Sequence, residues 1–135
     1  MNPDILFRSE ISLVIIAAGV MLYWLSNRWM LGRAASQFDG LITVPVNKPV
    51  LVYFTTPTCA PCKTIQKPAI ERVQDILGEH FQVIEINAAE QPEMARRWGV
   101  VSVPTTFVLD AHGKARHVNN GVVRAEKLLK QLHGL

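Results

Sequence analysis

The chain has 135 residues, 49% of them apolar, and a formal charge of +3, which is room for one domain and an appendage. Residues 34–135 carry 11 Lys and Arg against 9 Asp and Glu, with no basic run, so a nucleic-acid surface is excluded. Two cysteines, Cys59 and Cys62, are too few for a zinc site built of thiolates alone.

The first element is apolar. Ile11 to Leu25 reads ISLVIIAAGVMLYWL, without a charge, and the window 11–31 holds 21 residues. A helix of roughly 20 residues crosses the hydrocarbon layer of a bilayer. Tyr23, Trp24 and Trp29 gather at one end, where an aromatic belt sits. A cleaved signal would want a basic leader, but Asp4, Arg8 and Glu10 precede the stretch. A buried helix of a soluble core would show a polar stripe. The division is therefore a tail at 1–10, a transmembrane anchor at 11–31, a tether at 32–40 and a domain at 41–135. Arg28 and Arg33 follow the span and Arg8 precedes it, a bias of one charge toward a cytoplasmic domain. An extracytoplasmic domain stays open.

Leu41–Val46 is read as an edge strand, because Pro45 is unsuited to a central one. Pro49–Thr55, PVLVYFT, is a continuous apolar run and predicts a strand buried on both faces. From Lys63 to Leu77 apolar residues fall at 65, 69, 70, 73, 76 and 77, which is helical spacing, with Pro68 as a kink and Gly78 as the stop. Phe81–Asn87 predicts a second buried strand. Gln91–Trp98 is a short helix ended by Gly99. Thr105–Asp110 is a third strand, turning through Asp110-Ala111-His112-Gly113 into a returning strand at Ala115–Gly121. Arg124–Leu132 closes the chain as a helix with Leu128, Leu129 and Leu132 on one face. This order predicts an α/β fold with a mixed sheet.

Cys59 and Cys62 admit three readings. A metal site needs four ligands, and the best remaining pair, His112 and His117, is remote in sequence; no metal is expected. A structural staple closing so short a loop removes little unfolded-chain entropy. Redox work fits the surroundings best. The pair lies between a buried strand and a helix start, where the helix dipole and unpaired N–H groups stabilise a thiolate below its free pKa of about 8.5. Pro61 is tolerated in the first helical turn, and Lys63 adds positive charge. Cys59, nearer the exposed end, is the attacking thiolate and Cys62 the resolving thiol.

From about Pro49 onward the sequence resembles the thioredoxin family. The resemblance rests on Cys59-Ala60-Pro61-Cys62-Lys63 after a strand, the helix Pro68, Val103-Pro104-Thr105, and Gly121 before the last helix. It implies a thioredoxin-like fold, a central mixed β-sheet flanked by helices, preceded by one N-terminal transmembrane helix. It also implies a cis peptide at Pro104 beside the disulfide, and a substrate segment lying along Ala60, Pro61, Val103 and Thr105. Four departures stand out. Thr58 replaces the family's Trp, and Tyr53 replaces its buried Asp. Pro68 falls one residue late, and the segment 38–49 is too short for the family's first helix, which is expected to be missing. Glu85, in the middle of FQVIEIN, is a candidate proton shuttle for Cys62 if buried; the alternative is an exposed strand residue.

These readings imply a membrane-anchored, single-pass thiol–disulfide oxidoreductase. Its only redox group is the Cys59–Cys62 pair, without a further cofactor. Its partners are a client protein with a disulfide or dithiol, an external redox partner that recharges the pair, and the membrane. Ala60-Pro61 resembles the Gly-Pro of reducing relatives, which leans toward a reductase. A disulfide-forming oxidant, a non-catalytic adaptor and a redox sensor remain the alternatives.

Overall fold

The computed structural model describes residues 3–37 and 47–135. Helix α1, Pro3–Gln37, is one continuous run of 35 residues. Within it Ser9–Met30 is long and apolar enough to cross a membrane, and all of it but its last residues is exposed. Its 22 residues span about 33 Å at the helical rise. The helix does not stop at the expected tether but continues through Gln37. The edge strand expected at 41–46, and most of the shortened segment 38–49, lie outside the described residues.

Among the described residues the rest is built on a mixed four-stranded sheet, in the order β2-β1-β3-β4. Strand β1, Val50–Thr55, is central, and its first five residues are buried. Strand β2, Gln82–Asn87, runs parallel to it; β3, Thr105–Leu109, and β4, Ala115–Asn120, complete the sheet antiparallel. Strand β2 is not the doubly buried strand that its apolar sequence suggests. Among the described residues it is an edge of the sheet, and only Ile86 within it is buried.

Two cores flank the sheet. On one face Val50, Val52 and Phe54 meet Trp98, Phe107 and Met30 of α1. Phe54, Trp98 and Phe107 form a ring cluster with centroids 5.0–5.8 Å apart, the tilted geometry that aromatic quadrupoles favour. This face carries the short helix α3, Pro92–Arg97, which ends before Gly99 at φ +72°. On the other face Leu51 and Tyr53 meet both cysteines, Ile70, Val73, Leu128 and Leu132. It is covered by α2, Lys67–Leu77, and α4, Ala125–His133.

The expected kink at Pro68 takes a specific form. The helical run 60–77 widens into a π turn over Cys62–Gln66, where the Lys67 N–H bonds the Cys62 carbonyl. Proline has no N–H for the carbonyl one turn back, and a widened turn absorbs that gap. The buried stripe of this run is Cys62, Gln66, Ile70 and Val73, and Ile65 and Ile76 are exposed although their spacing suggested a core face.

Gln66 is thus a fully buried polar residue. Its Nε2 donates to the Val123 carbonyl at 3.2 Å and its Oε1 accepts from the Val123 N–H at 2.8 Å, tying α2 to the segment before α4. Truncation leaves two backbone groups buried and unpaired, at about 1–3 kcal/mol each. Gln66→Ala should lower stability by about 2–5 kcal/mol, read as a drop in the urea midpoint of the detergent-solubilised chain followed by near-ultraviolet circular dichroism.

The β3–β4 turn is held by Asp110, whose carboxylate accepts from the His112 and Lys114 N–H groups, both at 2.9 Å, and from Arg116 Nε at 2.7 Å. Burial alone would raise the Asp110 pKa. The Lys114 N–H, the Arg116 guanidinium and the His112 N–H together outweigh it and hold the carboxyl below its ordinary value. A depressed native pKa adds stability that is complete above the unfolded carboxyl range near pH 4 and fades as pH falls through the native pKa. Asp110→Asn should therefore be less stable than wild type at neutral pH. Below about pH 4 the gap should narrow; thermal melts at stepped pH measure it, and a constant gap would contradict the assignment.

Candidate active site

Strand β1 delivers the chain to the end of the sheet, and the Cys59 N–H turns back to the Thr56 carbonyl at 3.2 Å. Helical geometry begins at Ala60. Pro61, at φ −61°, already has the helical angle that its ring imposes. Cys59 and Cys62 are joined as a disulfide with their Cα atoms 5.3 Å apart. The two sulfurs differ in access. Cys62 is fully buried, while Cys59 retains 9% exposure at the rim. The Cys62 N–H points at Cys59 Sγ from 3.3 Å, the kind of donor that stabilises a thiolate at a helix start.

Beneath the pair lies Tyr53, which donates its hydroxyl to the Cys62 carbonyl at 3.2 Å. Burial, reinforced by the nearby Glu85 charge and opposed by a hydrogen bond with Thr55, keeps its pKa above the ordinary tyrosine value. Tyr53 therefore stays neutral in the range where thiols titrate. It positions the helix start and supplies no carboxylate.

Above the pair lies the Val103–Pro104 loop. The Val103–Pro104 peptide bond is cis. The Pro104 carbonyl accepts from the Gly121 N–H at 2.8 Å, and Gly121 can turn there because it adopts φ +88°. Val103 is half-buried and packs against both cores, including the cluster that holds the two cysteines. Ala60 and Pro61 are exposed beside the disulfide. Thr105, expected on the substrate surface, is fully buried; its hydroxyl donates to the Ser102 carbonyl at 2.7 Å and so braces the loop from behind. Cys59, Cys62, Ala60, Pro61, Val103 and Pro104 thus share one end of the sheet.

Glu85 is placed differently from a buried acid. Because β2 is an edge strand, its side chain is exposed. It pairs in register with Tyr53, and together with Tyr53, Cys62, Lys63 and Lys67 it lines a cleft of about 160 Å³ behind the disulfide. Sequence reasoning did not find Gln66, whose partner Val123 is 57 residues away. The only available signal was a polar residue one helical turn after Cys62.

A disulfide between residues three apart, at a helix start and beneath a proline loop, defines the thiol–disulfide oxidoreductases as a class. A thioredoxin family model matches residues 31–134, and the chain belongs to that family. It is 33% identical to chloroplastic thioredoxin Y of Oryza sativa subsp. japonica over 97 residues, 72% of this chain and 56% of that protein. It is 36% identical to a thioredoxin-like protein of Synechocystis over 85 residues, 63% of this chain and 79% of that one. The match therefore spans little more than half of the rice relative. Among solved structures, thioredoxin-2 of a malaria parasite aligns with TM-score 0.62 at 19% identity, over 66% of this chain and 84% of that one. A DsbF homologue from Corynebacterium diphtheriae aligns with TM-score 0.57 at 24% identity, over 67% and 74%. These two likenesses establish the thioredoxin-like fold.

Proposed function

We propose that the protein is a membrane-tethered reductant of protein disulfides. The asymmetry of the pair, Cys59 at the rim and Cys62 fully buried, carries the roles of attacking and resolving thiol, and the reducing direction rests on Ala60-Pro61, which resembles the Gly-Pro of reducing relatives. The Cys59 thiolate attacks one sulfur of a client disulfide; a new S–S bond forms and the client's other sulfur leaves as a thiolate. Cys62 then gives up its proton and attacks Cys59 Sγ. The second client thiolate departs, and the Cys59–Cys62 bond seen here is formed. Two electrons have passed to the client, so an external dithiol must restore the pair. The substrate chain lies over Ala60, Pro61 and the Val103 backbone, and the apolar stretch Ser9–Met30 holds the domain at the membrane.

Two measurements test this. Cys62→Ser should accumulate a mixed disulfide through Cys59, whereas Cys59→Ser should form none; trapping by both or neither would remove the assigned roles. The redox midpoint of the pair, set against glutathione or dithiothreitol, should lie near the thioredoxin value of about −270 mV. A midpoint near −120 mV would make the protein an oxidant.

The proton of Cys62 leaves through the cleft toward Glu85, the carboxylate that lines it. A general base accelerates such a step most where the thiol is still protonated. Glu85→Gln should slow resolution of the mixed disulfide by roughly 10–100-fold at neutral pH. The deficit should close as pH rises and Cys62 ionises unaided. An unchanged pH–rate profile would leave Glu85 as a surface residue.

A further inference from the structure

We propose that the disulfide end of the domain faces the membrane surface, and that the cysteine pair with which it exchanges belongs to an integral membrane protein and lies at the membrane–water interface. This rests on the membrane-tethered reading above and adds the orientation and the partner class.

The orientation follows from where α1 joins the domain. Met30 is the last residue of the apolar stretch and is also buried, at 6% exposure. Its Cγ lies 3.5 Å from where a Cβ on Gly99 would be, and its Sδ is 4.0 Å from Asn120 Nδ2. Asn120 is the register partner of Thr105, the residue after Pro104, and the next residue, Gly121, bonds the Pro104 carbonyl. The point where the chain meets the domain is therefore the end of the sheet that carries the disulfide loop. The Asp110–Lys114 turn is at the other end of β3, five residues away, or about 17 Å.

The helix before Met30 leaves the domain and does not run back across β4. Tyr23, Trp24 and Leu25 are 69%, 57% and 50% exposed, and the Arg28 guanidinium sits 5.0 Å from the Trp24 ring centroid. An aromatic and arginine girdle of this kind marks the headgroup level. It lies within two turns of Met30, so Gly99, Asn120 and the adjoining loop are held close to that level. The rim around Cys59 suits the position: Pro57, Thr58, Ala60 and Pro61 are exposed and uncharged, and Val101 is 89% exposed.

A soluble client would have to enter the narrow space between this rim and the bilayer. A membrane protein whose cysteines sit at the headgroup level presents them at the correct height, and confinement to the same bilayer raises their effective concentration.

The test uses the full chain in phosphatidylcholine vesicles, first washed with alkaline carbonate. Bimane is placed on Cys59 in Cys62→Ser and, for comparison, on the exposed turn in Cys59→Ser, Cys62→Ser, His112→Cys. Nitroxide lipids labelled at the headgroup should quench the first label strongly and the second weakly. With the wild-type reduced chain, a bilayer-anchored peptide disulfide at the headgroups should react at least about tenfold faster than the same peptide on a long polymer spacer. Release of the protein by carbonate overturns the tethered reading and this inference with it. Retention with equal or inverted quenching overturns the orientation alone, and equal peptide rates overturn the partner class alone.

Discussion

Everything at this site depends on β1 being buried on both faces. Its alternation sends Val50, Val52 and Phe54 into one core and Leu51 and Tyr53 into the other, so the strand cannot slip by a residue without inverting both. That constraint fixes the height at which Thr55 leaves the sheet and hence where Cys59 begins its turn. The opposite wall is fixed in the same way, since all of β3 is buried and Pro104 immediately precedes it. A disulfide exchanger needs one sulfur accessible and the other withheld, and two rigid strands ending at the same edge supply that difference.

The substitution of Tyr53 for an acid reorganises the underside of the pair. Tyrosine at this position is nearly isolated from solvent, and its hydroxyl is engaged by the Cys62 carbonyl. Its raised pKa excludes it as a base where thiols titrate. The nearest acid is instead across the sheet in exact register, Glu85 opposite Tyr53 on the parallel neighbour. Parallel partners project to the same face, so the cleft behind Cys62 retains a carboxylate at its solvent side rather than at its floor.

Much of this was legible in the sequence, and the failures have physical causes. Strand β1 is a continuous apolar run, β3 is a β-branched and aromatic run ending in a turn signal, and the cysteine spacing and Val103-Pro104 are local signals, so each could be read in a short window. Strand β2 carries Val83, Ile84 and Ile86 between polar residues, but whether a strand is central or an edge is a property of topology, invisible to composition. Helix α2 was found with Ile70 and Val73 facing inward as expected, yet Ile65 and Ile76 are exposed. Gln66 gave no local signal, because its two hydrogen bonds close only when Val123 arrives from far along the chain. Asp110 announced a turn, whereas its ion pair with Arg116 needed the hairpin register.

The apolar helix and the domain are not independent parts. Sequence reading drew a boundary at residues 31–32 and a polar tether beyond it, which would let the domain swing freely. The structure instead carries one helix through that boundary, and Met30 belongs to the same core as Phe54, Trp98 and Phe107. A residue that closes a core cannot rotate away from it without exposing the apolar surface it covers, so the end of the apolar stretch and the sheet move together. Helix α1 precedes β1 in the chain and reaches the sheet at the end where β1 finishes, which orients its later residues back along the strands. The packing of Met30 beside Gly99 thus couples the apolar helix to the end of the domain that carries the disulfide.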